Sequence, residues 1–246
     1  MKKLFYLLSL LLAALLVSCS SAETDNKDAD DVKEPSTSDR INPANGHAYV
    51  DLGLSVKWAT CNVGANAPEE YGDYFAWGET KPKDCYDWST YKWCNGSNTT
   101  LTKYCTDSDY GTVDNKTVLD LADDAAHANW GGAWRMPTKE EQQELQNNCT
   151  WTWTTQNGVD GYTVKSKING KSIFLPLAGE CSGFAQSPFD FGRYWSSSVE
   201  TDYWFGAYFL QMVPEERGNE LSNIDYGVSC TFNKPIYGCS VRPVLP

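Results

Sequence analysis

The periodicity of apolar residues changes once along this chain, and that change most limits what it can become. Val118, Leu119, Leu121, Ala122, Ala125, Ala126 and Trp130 recur at helical spacing with polar residues between them. The pattern predicts a helix that buries one face and stops at Gly131-Gly132. A second helix is predicted after Pro137, with Thr138 as N-cap and Glu141 three residues on, a capping-box arrangement. Beyond Asn148 the period becomes two: Trp151-Thr152-Trp153-Thr154 alternates, Tyr162-Thr163-Val164 continues, and Ser172 to Leu177 has the composition of a buried strand. Helices followed by a run of antiparallel strands predict an α+β fold.

Upstream, Ala48–Gly53 and Val56–Cys61 are short, β-rich and punctuated by glycine, which predicts a strand pair. Residues 78–112 mix Gly, Pro, Asn, Asp, Ser and Thr with aromatics and are expected to form a long ordered loop. No repeat or charge block divides residues 46–246, so a single domain is expected there. The chain carries 32 acidic against 20 basic residues, a net charge of −12. Such a balance repels a phosphate backbone and excludes nucleic acid as the expected partner. It also disfavours heparin-like ligands and phospholipid headgroups.

The N-terminus reads as an address. Lys2 and Lys3 precede an apolar run from Leu4 to Val17. That run is shorter than the roughly 20 residues of a membrane-spanning helix and has the form of a secretory signal. It ends in Leu16-Val17-Ser18-Cys19, which matches a bacterial lipobox. Cys19 is therefore the expected lipidation site, residues 1–18 the signal peptide, and residues 19–45 a polar, acidic tether. Loss of Lys2 and Lys3 takes the mature balance to −14. The expected location is the outer membrane, exposed at the cell surface, with the lipid anchor as the only membrane contact.

Eight further cysteines, an even number, suit an oxidising compartment. Cys230 and Cys239 bracket a short loop containing Pro235 and Gly238 and are expected to pair, stabilising it by about 2–3 kcal/mol. Two of Cys85, Cys94 and Cys105 are also expected to join. No C-x-x-C occurs, and His47 and His127 are the two histidines, so no metal is expected. No cofactor is expected either.

Tyr203, Trp204 and Phe205 are consecutive aromatics beside Asp202. Neighbours in a strand point to opposite faces, so either one ring is exposed or both faces of the sheet are covered. Exposed rings of this kind recognise sugars and protein surfaces. Glu200, Thr201, Asn219, Asn223, Asp225 and Tyr226 are candidates for a polar rim. Phe209 alternates with Tyr208, Leu210 and Met212, and its side of the strand is left open. Arg135 and Arg242 are expected to pair with buried carboxylates or carbonyls. Asp123 and Asp124 diverge by about 100° on a helix and are expected on a solvated face, within reach of His127. No catalytic constellation is evident: G-x-S-x-G, H-E-x-x-H and the P-loop pattern are missing from the sequence.

An ordered series of motifs points further. Asp51–Ala65, Gly72–Thr80, Asp123–Glu141, Asn147–Trp153, Ile173–Glu180, Tyr194–Ser198 and Ser240–Val244 together resemble the Fibrobacter succinogenes major paralogous domain family, abundant in Bacteroidetes lipoproteins. The acidic residues after Cys19 resemble surface-export signals of that group. The resemblance implies a C-type lectin-like fold, related to formylglycine-generating enzymes, with a twisted antiparallel sheet and a C-terminal ligand-presenting face. It also implies kinship with variable proteins of diversity-generating retroelements, whose rewritten interval would correspond to residues 199–239. That interval is not markedly Asn-rich, and the 230–239 loop resembles an insertion. The expected function is therefore a surface ligand-binding module or adhesin for a glycan or protein on another cell or host surface. The alternatives are a copper/cysteine oxidoreductase using Cys230 and Cys239, or a structural envelope component.

Overall fold

The computed structural model describes residues 45–187, 190–201, 206–214 and 227–246. The signal and most of the tether, including Cys19, lie outside them. So do Asp202, Tyr203, Trp204, Phe205, Asn219, Asn223, Asp225 and Tyr226. The described residues are mixed and mostly sheet, with open antiparallel sheets and two helices.

The second predicted helix forms as read: α2, Lys139–Asn148, carries a complete capping box. Glu141 N–H donates to the Thr138 hydroxyl at 3.3 Å, and Thr138 N–H donates to the Glu141 carboxylate at 2.8 Å. The first helix is shorter than its periodicity predicts. Asp124 adopts an extended conformation, and its carboxylate accepts from His127 N–H at 2.9 Å. The helix therefore begins only after this cap, as α1, Ala125–Trp130. Leu121–Asp123 is a separate 3-10 turn, and Val118 and Leu121 are exposed.

The predicted opening pair is present as β1, Tyr49–Val50, and β2, Lys57–Ala59. The C-terminal strand β11, Val244–Leu245, joins the other side of β2, so the two ends of the domain close one small sheet. A second sheet holds β3, Cys149–Gln156, β4, Val159–Ser166, and β5, Ser172–Pro176. Asn157 and Gly158 both take positive φ (49° and 82°), giving the two-residue turn that sets β3 against β4 with Trp153 opposite Tyr162. A two-stranded ribbon follows, β6, Cys181–Ser182, and β7, Ala185–Gln186.

The third sheet holds β8, Gly192–Glu200, β9, Gly206–Val213, and β10, Gly227–Asn233; β8 and β9 are covered on both faces, whereas β10 is only partly buried. Trp195, Val199, Ala207 and Phe209 enter one cluster with Trp77, Trp130 and Trp134. Tyr194, Leu210 and Met212 enter another with Leu145, Tyr162 and Leu175. Phe209 is thus core. The serines of the Tyr194–Ser198 motif occupy an irregularity in β8. The carbonyls of Ser196 and Ser197 accept from Trp77 Nε1 (2.8 Å) and Leu119 N–H (2.9 Å). Small side chains let these neighbours reach the backbone.

Residues 78–112 contain neither helix nor extended strand; Tyr86, Tyr91, Leu101 and Cys105 pack in a small core shared with Ala76 and Ile236. The Tyr91 hydroxyl and Trp93 Nε1 tie the loop to the carbonyls of Trp77 and Gly78 at 3.0 and 2.8 Å.

Close approach sets one glycine. A Cβ on Gly161 would lie 2.4 Å from the Leu175 carbonyl oxygen and 2.6 Å from the Phe174 ring. Gly161→Ala is expected to destabilise the domain by about 1–3 kcal/mol through overpacking of β4 on β5. Urea unfolding of the variant measures it, and an unchanged midpoint would contradict the close approach.

Candidate functional site

Helix α2 runs into β3 without a loop, because Cys149 already has extended dihedrals. The last turn of the helix therefore sits beside the first inward-facing residues of the strand. Trp151 and Trp153 are two residues apart and share one face. The Tyr162 ring lies 6.1 Å from Trp151 and 5.6 Å from Trp153, both edge to face. With Gln146, Asn147, Lys167, Pro214, Gly227 and Val228, these rings line an open groove of about 610 Å³.

The groove grades from core to surface. Tyr162 is buried at its base, whereas Trp153 is 40% exposed. The Gln146 amide N–H donates to the Val228 carbonyl at 2.5 Å, joining α2 to β10. The Lys167 ammonium donates to the Asn147 carbonyl at 2.9 Å, at the helix end where a cation is favoured. The Trp151 indole N–H is shielded and meets no acceptor among the described residues. An unmade bond of this kind costs about 1–3 kcal/mol. On the opposite face of β3, Thr150 and Thr152 are exposed.

The residues predicted for a binding rim fall differently. Glu200, expected at a polar rim, is 3% exposed, at the end of β8 beside Tyr208 and opposite Gly206. The strand pairing draws its side chain inward, near Lys139, whose Nζ stands 3.6 Å from the centre of the Tyr208 ring. Thr201 is exposed. The remaining rim and aromatic candidates lie outside the described residues.

Cys230 and Cys239 are not brought together. Cys230 lies on β10 opposite Leu210 and packs with the Leu210 cluster, whereas Cys239 lies in the Phe209 cluster. Burial pushes the Cys230 thiol up to about 12 and raises that of Cys239 well above its ordinary value. The thiols of Cys85, Cys94 and Cys105 each donate to a nearby oxygen, on Asp87, Trp88 and Asp107 respectively.

Asp123 and Asp124 are both buried, contrary to the solvated face expected of them. The reason is the broken helix: each carboxylate turns inward to satisfy donors. Asp124 accepts from Met136 N–H at 2.8 Å as well as from His127 N–H. Asp123 accepts from Lys92 (3.2 Å), Lys103 (2.5 Å) and the Tyr104 hydroxyl (2.7 Å). Arg135 holds Glu141 through two bonds of 2.7 and 2.6 Å, a structural pair. Arg242 binds carbonyls and an amide, as expected. His47 stacks on Trp130 at 3.7 Å, and burial lowers its pKa. Among the described residues no group of three or more His, Cys, Asp or Glu side chains is placed to hold a metal ion. None of the described helices is long and apolar enough to cross a membrane.

The Trp151/Trp153 groove was not foreseen as a site. Its signal was available: two tryptophans at period two, alternating with threonine and followed by an Asn-Gly turn. Comparison of the chain with protein-family models, with curated proteins and with solved structures finds no match.

Proposed function

We propose that this chain is a surface-displayed binding module that takes a glycan in the groove of Trp151, Trp153 and Tyr162. In this reading Cys19 carries the lipid anchor, and the domain is a C-type lectin-like member of the major paralogous domain family. The observation that carries the reading is the exposed Trp153 ring on an aromatic floor, beside the amide side chains of Gln146 and Asn147. Indole faces suit the C–H faces of sugar rings, while amides suit hydroxyl groups. Within residues 199–239, β9 is buried almost from end to end, so codon changes there would strike the core. The retroelement-diversified form gains no support from that strand. A near-copy of these codons differing at adenines, beside a reverse transcriptase gene, is the genomic observation that would restore it.

The test is a glycan array probed with the purified full-length protein, followed by titration of the best sugar. Trp153→Ala is expected to weaken binding at least tenfold, about 1.4 kcal/mol, with little change in unfolding temperature because the ring is partly exposed. Binding unaffected by Trp153→Ala but abolished by Trp204→Ala would move the site to the aromatic run at 203–205. A protein ligand retained when every glycan fails would overturn the sugar assignment.

A further inference from the structure

We infer that the groove prefers glycans ending in a sugar with a single carboxylate, held by Lys167. This rests on the glycan reading above and adds a ligand class to it. Lys167 is the one charged residue among the described residues that line the groove. Its ammonium has three donors, and one is directed to the Asn147 carbonyl, which holds the charge at the rim. Glu144, on the last turns of α2, is turned to Ser55 and accepts from its N–H and hydroxyl at 3.1 and 2.5 Å. Among the described residues, no carboxylate lines the groove to compete for the cation.

Range separates this preference from the repulsion expected of the whole chain. A net charge of −12 opposes a polyanion spread over many ångströms of surface. A lone sugar carboxylate within hydrogen-bond reach of Lys167 meets mainly that ammonium, because charges more than about 8 Å away are screened at physiological salt. The bond is charge-assisted, in a groove that also holds the Trp151, Trp153 and Tyr162 rings. Neutral sugars would use the rings and amides alone.

The experiment titrates the full-length protein with two oligosaccharides of the same linkage, one ending in glucuronic acid and one in glucose, following tryptophan fluorescence. The acidic probe is expected to bind at least tenfold more tightly at low salt, with the gap narrowing as sodium chloride is added. Lys167→Met is expected to bring the acidic probe down to the affinity of its neutral partner, and Lys167→Arg to retain the preference. Equal wild-type affinities, or a preference that survives Lys167→Met, would overturn the inference while leaving the groove as a sugar site. If Trp153→Ala alters neither probe, the groove reading itself fails. Absence of binding to both probes overturns the inference as well.

Discussion

Arg242→Met is expected to lower the unfolding free energy by about 3–5 kcal/mol, the largest single-residue effect in the domain's polar interior. Arg242 is 1% exposed, and its guanidinium donates to Asn62 Oδ1 (2.8 Å), the Ala59 carbonyl (3.1 Å) and the Thr60 carbonyl (2.7 Å). These bonds tie the C-terminal segment to the end of β2. Methionine fills a similar volume but leaves these acceptors without the donor, each at about 1–3 kcal/mol. The opposing effect is the cost of burying the charge. No carboxylate is among the side chain's hydrogen-bond partners, Nη2 has no partner among the described residues, and desolvation lowers the pKa of the group. Charge burial can make such replacements neutral, so the sign is informative. Three well-placed acceptors outweigh it here. Urea unfolding decides the matter: a midpoint at or above wild type would show that desolvation dominates. Arg242→Lys is expected to recover less than half of the loss, because one ammonium cannot reproduce the fork that spans Nε and Nη1.

Asp123→Ala is expected to cost about 3 kcal/mol, with a signature in pH. The carboxylate is 4% exposed and collects Lys92, Lys103 and Tyr104 from the long loop, so it fastens that loop to the turn before α1. The figure stands at the low end for a buried pair because Lys103 keeps a second partner, Asp120 at 2.6 Å, and Lys92 is half exposed. Burial pushes the Asp123 pKa up, but hydrogen bonds from Lys103, Tyr104 and Lys92 outweigh it, and the net direction is down from 3.8. Its folded pKa lies below its unfolded one, so its stabilisation is present above about pH 4 and is lost as the pH falls through the folded value. Asp123→Asn should therefore flatten the acid limb of the stability profile. Asp124 acts in the opposite sense: desolvation raises its folded pKa above 3.8. Its contribution is complete below the unfolded value and declines as the pH rises through the folded one. An Asp123→Asn profile that parallels wild type below pH 4 would refute the assignment.

Local chemistry was readable along much of the chain. The capping box at Thr138 and Glu141, the alternation in β3 and the loop character of 78–112 each depend on neighbours within a few residues, and each is found. The first helix misled because apolar spacing from Val118 to Trp130 says nothing about which turn a carboxylate will cap. Asp124 took the cap, and the apolar residues before it fell outside the helix. Glu200, expected at a rim, is buried where β8 pairs with Gly206, a placement that only the strand pairing sets.

From residue order alone come the elements with local causes, the acidic charge, and the expectation of a lipid-anchored module with aromatic side chains to spare. The fold supplied the pairing of faces. It covered both sides of β8 and β9, making Phe209 core, and placed Cys230 and Cys239 in separate clusters. It also gathered Gln146, Trp153, Lys167 and Val228 around one groove. A hydrogen bond within one turn has its partner supplied by a few neighbouring residues. A groove needs strands and a helix far apart in sequence to meet in one register, and that meeting is set by burial summed over the entire core.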